Sequence, residues 1–151
     1  MSEFKRILLA EDSAQDVELT LAALAEHKLT NQVVVVGDGV EALDYLYRRG
    51  AYEGREDGNP AVILLDLKLP KLDGLKVLRQ LKGDEALRSV PVVVLTSSRE
   101  ERDLVESYRL GVNSYVVKPM DFAQFVAAVK QIGLFWAVVN EPPPGSVPRR
   151  G

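Results

Sequence analysis

Cysteine is absent from the 151-residue chain, and histidine occurs only once. Without thiols the protein holds neither a disulfide nor a thiolate metal site, which is typical of the reducing cytoplasm. The single His27 is not enough for a histidine-based metal cluster or for a familiar nucleophile–base triad. Any chemistry of this chain therefore depends mainly on oxygen and amine groups.

Long apolar runs and a surplus of basic charge are also missing. The apolar run near the N-terminus is too short for a signal peptide, and no later run approaches the roughly 20 residues of a membrane span. The net charge is -3 and the basic residues are scattered, which gives no reason to expect nucleic-acid binding. We therefore expect one soluble, cytoplasmic domain that binds neither membranes nor nucleic acid.

Short β-rich segments alternate with helical patterns along the chain. The strand candidates are residues 4–10, 32–36, 61–66, 91–96 and 113–117. The third and fourth segments are apolar without alternation, as expected of strands covered by helices on both faces. Five β-to-α units with right-handed crossovers predict an α/β fold, a doubly wound parallel sheet in the strand order 2-1-3-4-5.

Local signals place the helix starts and the end of the folded region. Ser13, Ser98 and Asp121 each begin a sequence that resembles a capping box, so helices should begin near them. Residues 140–151 contain four prolines and two glycines, which exclude regular structure. We therefore expect a folded domain over residues 1–139 and an extended tail without an output domain.

Polar side chains follow the ends of four predicted strands. They are Glu11 and Asp12 after the first strand, Asp66 after the third, Thr96 at the end of the fourth and Lys118 after the fifth. In a sheet of this order, ligands bind where strands one and three end. Three carboxylates brought together there either have raised pKa values or bind a cation, and hard oxygen ligands suit Mg²⁺ or Mn²⁺.

Lys118 and Thr96 extend this predicted site towards phosphate chemistry. A lysine pairs with a carboxylate at rest and with an added anion afterwards, and a threonine hydroxyl donates to the same anion. With a metal and a nucleophilic oxygen, these are the parts that phosphoryl transfer needs, which makes Asp66 the candidate acceptor. In the alternative, Asp66 merely caps the next loop. That alternative leaves the joint placement of Glu11, Asp12 and Lys118 unexplained.

Four segments, ILLAEDS, ILLDLKLPKLDG, VVVLTSS and YVVKP, together resemble the receiver domain of two-component response regulators. The resemblance covers about residues 4–136. It implies a flavodoxin-like (βα)5 fold and a sensor histidine kinase that transfers its phosphoryl group to Asp66. It also implies a signalling phosphoprotein rather than an enzyme, with self-phosphorylation from a donor and slow self-dephosphorylation as its only reactions.

The resemblance also implies roles for the other residues at the strand ends. Asp12, Asp66 and the backbone carbonyl of Lys68 match direct metal ligands, and Glu11 matches an acid that holds the metal through water. Lys118 matches the lysine that contacts the phosphoryl group.

A switch is implied by the same resemblance. Thr96 and Tyr115 match a pair in which the hydroxyl moves towards the phosphoryl group and the aromatic ring then rotates inward. This movement would change the face formed by the fourth helix, fifth strand and fifth helix. The peptide bond before Pro119 matches one that is cis in the family, and residues 69–74 match the turn after the acceptor.

Apolar residues crowd the end of the last helix. They are Leu134, Phe135, Trp136 and Val139. Because they are too close in sequence to share one buried face, we expect an exposed apolar surface that forms a homodimer; in the alternative, the helix end curls over the core. This ending and the long polar loop at residues 50–60 resemble stand-alone receivers associated with bacterial and cyanobacterial phytochromes, which favours a phytochrome as the kinase.

Two other functions account for the sequence less well. A haloacid-dehalogenase-like phosphatase also has a nucleophilic Asp after an apolar strand, but it needs a second acid two residues later, where this chain has Lys68. A nucleotide-binding module needs glycines and backbone donors after the first strand to hold phosphate. The acidic sequence AEDSAQD stands there instead.

Overall fold

The computed structural model of the protein describes residues 6–25, 32–118, 122–133 and 135–136. The strands are β1 (Ile7–Ala10), β2 (Val33–Val36), β3 (Val62–Leu65), β4 (Val92–Thr96) and β5 (Ser114–Val117). The helices are α1 (Ala14–Ala25), α2 (Gly39–Tyr47), α3 (Gly74–Lys82), α4 (Glu101–Leu110) and α5 (Phe122–Gly133). Across these ranges, no helix combines the length and the apolar character that crossing a membrane requires.

All five strands pair in parallel, in the order β2-β1-β3-β4-β5, which confirms the predicted fold and strand order. β1, β3 and β4 are buried along their whole length, whereas the edge strands β2 and β5 are partly accessible. The central strands are buried because helices cover both faces of the sheet. The uninterrupted apolar runs of the third and fourth strands were therefore correctly interpreted.

The core consists of two clusters, one on each face of the sheet. Successive residues of β1 alternate between them: Leu8 packs with the cluster that includes α2 and α3, and Leu9 packs with the cluster that includes α1 and α5. Leu78 of α3 and Val129 of α5 are fully buried on opposite faces. The two clusters hold the strands between them and so fix the positions at which the strands end.

Two of the predicted helix starts lie within the described residues, and helices begin near both of them, α1 at Ala14 and α4 at Glu101. The Ser13 hydroxyl accepts a hydrogen bond from the Asp16 N–H at 3.3 Å, as a capping box requires. At α4, however, the N-cap residue is Glu100 rather than Ser98. Ser98 does not cap the helix because its hydroxyl donates to Asp103, inside the first turn of α4, at 2.5 Å.

The polar stretch at residues 50–60 is a loop that packs against α2. It contains one 3-10 turn, Gly50–Tyr52. The guanidinium group of Arg55 lies 4.0 Å from the centre of the Tyr45 ring and donates two hydrogen bonds to the Tyr45 carbonyl. The predicted surface loop is therefore held against α2 by the contacts between Arg55 and Tyr45.

Several predictions concern residues outside the described ranges. They are the capping box at Asp121, the cis bond before Pro119, the apolar residues Leu134 and Val139, and the tail at residues 140–151. These points, and the domain boundary at residue 139, stay predictions.

Candidate functional site

Backbone pairing continues one residue beyond β1 and β3 and places two carboxylates at the edge of the sheet. The Asp66 N–H donates to the Ala10 carbonyl at 3.1 Å, and the Glu11 N–H donates to the Val36 carbonyl at 3.0 Å. Because these residues keep strand-like positions, their side chains are carried by the rigid sheet rather than by mobile loops. The two acids meet at the carboxyl edge, as the predicted strand order requires.

Glu11, Asp12 and Asp66 form a compact group of carboxylates. One oxygen from each lies within 4.8 Å of the others. Glu11 and Asp66 are buried, whereas Asp12 is exposed, so the group has one side open to solvent. Clustered hard oxygens with a solvent-accessible side fit a divalent cation that keeps several waters. The predicted carboxylate cluster is confirmed.

Asp66 is 5% exposed, and both of its carboxylate oxygens accept hydrogen bonds. Oδ1 accepts from the Lys68 N–H at 3.0 Å and from the Thr96 hydroxyl at 2.8 Å, and Oδ2 accepts from the Lys118 ammonium at 2.9 Å. Burial alone would raise the pKa of Asp66, but these hydrogen bonds outweigh it and lower the pKa below its ordinary value. Asp66 is therefore ionised at neutral pH and held in one orientation.

Lys118 connects the carboxylates. Its ammonium donates to Glu11 at 2.5 Å, to Asp16 at 2.7 Å and to Asp66 at 2.9 Å. Burial lowers the pKa of Lys118, but the hydrogen bonds to the three carboxylates outweigh this effect and raise it. The site therefore holds a permanent cation in contact with the candidate acceptor.

Glu11 has the raised pKa that was expected of clustered acids, although burial contributes more to it than repulsion does. Burial raises its pKa from 4.5 to about 7, the charge of Asp66 adds to this effect, and the contacts with Lys118 oppose it. The pKa of Asp66 is lowered instead, because Asp66 also accepts hydrogen bonds from Thr96 and the Lys68 N–H. Two buried acids of one cluster thus differ in protonation near neutral pH.

Asp16 is a member of the site that the sequence analysis missed. It was interpreted only as the acid of the capping box at Ser13, yet its carboxylate reaches Lys118, which is 102 residues away. Asp16 lies in the first turn of α1, only a few residues after Glu11 and Asp12. That closeness in sequence to two acids of the site was the signal that could have revealed it.

Ser98 links the two residues of the predicted switch. The Thr96 hydroxyl accepts a hydrogen bond from the Ser98 N–H at 3.3 Å, and the Tyr115 hydroxyl donates to the Ser98 carbonyl at 3.1 Å. The Ser98 hydroxyl in turn donates to Asp103, which is buried in α4. The sequence pattern does not predict this contact between Ser98 and Asp103, because no regular period brings residues five apart into contact.

Close backbone contacts hold the acceptor loop, residues 66–74. A Cβ atom on Gly74 would overlap the carbonyl oxygen of Asp66, and one on Gly39 would overlap the carbonyl oxygen of Leu72. Asp73 accepts a hydrogen bond from the N–H of Lys76 and caps α3. The loop therefore packs so closely against α2 and the start of α3 that a side chain would not fit at Gly39 or Gly74. The predicted turn needs glycine at position 74 for this reason.

A cavity of about 820 Å³ opens beside the carboxylates, between the acceptor loop and α4. Asp12 and Lys68 line it on one side, and Arg102, Asp103 and Glu106 of α4 line it on the other. The exposed carboxylate of Asp12 therefore faces a space large enough for small molecules.

The apolar residues that follow α5 divide between core and surface. Trp136 is half-buried and packs against the core cluster that includes α1 and α5, whereas Phe135 is 48% exposed. The two rings form an edge-to-face pair with centroids 5.1 Å apart. Trp136 thus lies on the core, as the alternative expected, while Phe135 leaves apolar surface accessible. The homodimer stays a prediction.

The sequence matches the family model of the response regulator receiver domain over residues 7–130. Rcp1, a response regulator from Synechocystis sp. (strain ATCC 27184 / PCC 6803 / Kazusa), is 39% identical over 132 residues, which cover 87% of this chain and 88% of Rcp1. A solved structure of Rcp1 in its Mn²⁺-bound form has a TM-score of 0.85 at 38% identity and covers 92% of this chain and 99% of that one.

Two further solved structures are similar over almost their whole length. The phosphorylated cyanobacterial phytochrome response regulator RcpA has a TM-score of 0.85 at 42% identity, and the match covers 92% of this chain and 98% of RcpA. The bacteriophytochrome response regulator RtBRR has a TM-score of 0.74 at 64% identity, and the match covers 95% of this chain and 86% of RtBRR.

Proposed function

Because this chain belongs to the response regulator receiver family, we propose that it carries a two-component signal by accepting a phosphoryl group on Asp66 from the phosphohistidine of a sensor histidine kinase. One observation supports this most strongly: Asp66 is buried and ionised, and Thr96, Lys68 and Lys118 all donate to it. A carboxylate that only capped a loop would not need a buried lysine and a threonine hydroxyl directed at its oxygens.

In the transfer, an oxygen of Asp66 attacks the phosphorus atom of phosphohistidine. The P–N bond breaks, its electron pair returns to the imidazole, and an acyl phosphate forms on the carboxyl group. Lys118 balances the charge on the phosphoryl oxygens from a position already 2.9 Å from Asp66. The Thr96 hydroxyl exchanges its bond with Asp66 for one with the phosphoryl group.

The cation proposed for this reaction is Mg²⁺, with Mn²⁺ as a substitute. Glu11, Asp12, Asp66 and the carbonyl of Lys68 would hold it, and the first three already have oxygens within 4.8 Å of one another. When bound, it neutralises charge on the transferring phosphoryl group. The Mn²⁺-bound form of Rcp1 supports the same type of site in a related protein.

Phosphorylation reaches the surface through the bonds that join Thr96, Ser98 and Tyr115. When the Thr96 hydroxyl turns to the phosphoryl group, it changes its bond with the Ser98 N–H, and the Ser98 carbonyl holds the Tyr115 hydroxyl. Tyr115 then moves inward, and the face of α4, β5 and α5 changes. Binding of a partner protein to that face is the proposed output.

A phytochrome is the proposed kinase, because RcpA and RtBRR are both phytochrome response regulators. Phosphotransfer profiling against purified histidine kinases tests this, and we expect the fastest transfer from a bacteriophytochrome kinase. Faster transfer from a kinase of another class would overturn the assignment.

We also propose a homodimer through the apolar residues that follow α5, because Phe135 leaves an aromatic ring 48% exposed there. Light scattering should give a dimeric mass for the wild type and a lower mass for Phe135→Glu. Val105→Glu is a control, since Val105 is an apolar residue that is 57% exposed but lies on α4. A dimer that Phe135→Glu leaves intact would exclude this surface.

The comparisons give no support to a haloacid-dehalogenase-like phosphatase. Acyl-phosphate chemistry on Asp66 is tested directly with acetyl phosphate and Mg²⁺, followed by intact-protein mass spectrometry. We expect one phosphoryl group on the wild type and none on Asp66→Asn. Asp73→Asn is the control, because it removes an acid from the same loop while Asn still caps the helix. Equal modification of Asp66→Asn would refute the proposal.

A further inference from the structure

All the N–H donors of the Lys118 ammonium group bond to carboxylates. An ammonium group has three N–H donors, and Lys118 directs them to Glu11, Asp16 and Asp66 at distances of 2.9 Å or less. Its side chain is 10% exposed, so water has little access to it. The position of the ammonium group is therefore set by the three carboxylates.

The three partners differ in what the proposed reaction does to them. Glu11 and Asp66 belong to the carboxylate cluster that fits a cation, and an oxygen of Asp66 also becomes bonded to phosphorus. We therefore expect the contacts of both acids with Lys118 to weaken during the reaction. Asp16 is not part of that cluster, and the reaction forms no bond to it.

Asp16 is also fixed from both sides within α1. Its N–H donates to the Ser13 hydroxyl at 3.3 Å, and its carbonyl accepts from the Thr20 hydroxyl at 2.7 Å. Thr20 is buried, which anchors this turn of the helix to the core. The carboxylate of Asp16 is therefore carried by a helix that rests on the sheet.

We propose that Asp16 is a positioning residue, which holds the Lys118 ammonium beside the acceptor while Glu11 and Asp66 give up their contacts with it. This inference rests on the proposed phosphorylation of Asp66. Without Asp16, the ammonium would lose its one constant partner, and it would meet the incoming phosphoryl group in fewer productive positions. Asp16 does not itself contact the reacting atoms.

The test compares Asp16→Asn and Asp16→Glu with the wild type. Glu18→Gln is the matched control, because Glu18 is an exposed acid on the same helix and the charge change is the same. With acetyl phosphate and Mg²⁺, Asp16→Asn should react about three- to tenfold more slowly, because Asn can still accept a hydrogen bond from the ammonium and only the contribution of the charge is lost. Asp16→Glu should recover part of the rate, and Glu18→Gln should match the wild type.

Two further measurements separate positioning from general damage. Calorimetric titration should show that Asp16→Asn binds Mg²⁺ nearly as well as the wild type. Nitrogen-15 NMR of the metal-free protein should show a slowly exchanging Lys118 ammonium signal, assigned with Lys118→Met, that broadens or disappears in Asp16→Asn. The NMR measurement on the wild type does not depend on the variant's reactivity or on a bound metal.

Several results would overturn the inference. Asp16→Asn reacting at the wild-type rate or faster, or an ammonium signal that does not change, would show that Asp16 does not position Lys118. A loss of Mg²⁺ affinity as large as the loss of rate would make Asp16 part of the cation site instead. If the wild type takes no phosphoryl group, or Asp66→Asn still takes one, the proposed function fails and this inference fails with it. A fully reactive Asp16→Asn beside an inert Asp66→Asn refutes the inference alone.

Discussion

Helices α3 and α4 are neighbours on one face of the sheet, but the side chains that α3 buries are apolar and those that α4 buries are polar. α3 buries Val77, Leu78 and Leu81 and directs its charged residues outward. It follows directly from the acceptor loop, so its apolar face anchors the loop that carries Asp66. Burial of this kind is non-directional and strong, and it keeps the acceptor in place.

α4 has the reverse pattern. Its buried residues are Asp103 and Ser107, while Leu104, Val105 and Tyr108 are 39%, 57% and 51% exposed. Within the part of the chain that the structure describes, the Ser107 hydroxyl has no hydrogen-bond partner. Polar contacts depend on geometry, so a small movement at Ser98 is enough to weaken them. The difference fits the proposed function, in which Asp66 stays fixed while α4 responds to phosphorylation.

The largest effect is expected for the apolar face of α3. Leu78→Ala removes a fully buried side chain and should lower the free energy of unfolding by about 2–5 kcal/mol, because it leaves a cavity. Leu104→Ala, on exposed α4 surface, should change it by less than about 1 kcal/mol. Urea unfolding followed by circular dichroism measures both. Equal losses would remove the contrast between the two helices.

The acceptor loop should be nearly as sensitive. Gly74→Ala places a Cβ atom against the backbone of Asp66 and Leu67, and neither can move without shifting the acceptor. We expect a loss of about 3 kcal/mol, measured in the same way. Gly83→Ala, at the other end of α3, serves as control, since Gly83 has a right-handed backbone conformation and more room. A stable, fully reactive Gly74→Ala protein would contradict the close packing of this loop.

A smaller effect is expected for the polar anchor of α4. Asp103→Ala leaves the Ser98 hydroxyl without its acceptor and should cost about 1–3 kcal/mol, whereas Asp103→Asn keeps an acceptor oxygen and should cost less. The Tyr115 ring signals in NMR should shift in Asp103→Ala, because Ser98 holds the Tyr115 hydroxyl. Unchanged Tyr115 signals would break the proposed link between α4 and the switch.

The smallest effect is a dependence on pH. Because the pKa of Glu11 rises from 4.5 to about 7 on folding, its contribution to stability is complete below pH 4.5 and is lost as the pH rises through 7. A pKa change of this size corresponds to at most about 3 kcal/mol, and solvent at the open side of the cluster reduces it. Between these pH values, the metal-free wild type should therefore lose roughly 1–2 kcal/mol relative to Glu11→Gln, which has no proton to lose there. Unfolding titrations of both proteins at several pH values measure the difference. A constant difference would show that Glu11 is not buried in the acid form.

The sequence was sufficient to predict the sheet and most of the site for a physical reason. The apolar runs ending at Ala10 and Leu65 specify buried parallel strands, and the topology brings the next polar residues together. Asp16 was missed because its capping role explained it locally. The contact between Ser98 and Asp103 depends on the conformation of the loop before α4, and no local sequence pattern predicts that conformation.

The contrast between α3 and α4 is tested most directly by hydrogen exchange, measured by mass spectrometry before and after phosphorylation with acetyl phosphate and Mg²⁺. We expect amides of α4 to exchange faster than those of α3 in the unmodified protein. We also expect phosphorylation to change exchange in α4 and the preceding loop while α3 stays as it was. Equal protection of both helices, or a response of α3 as large as that of α4, would contradict this account.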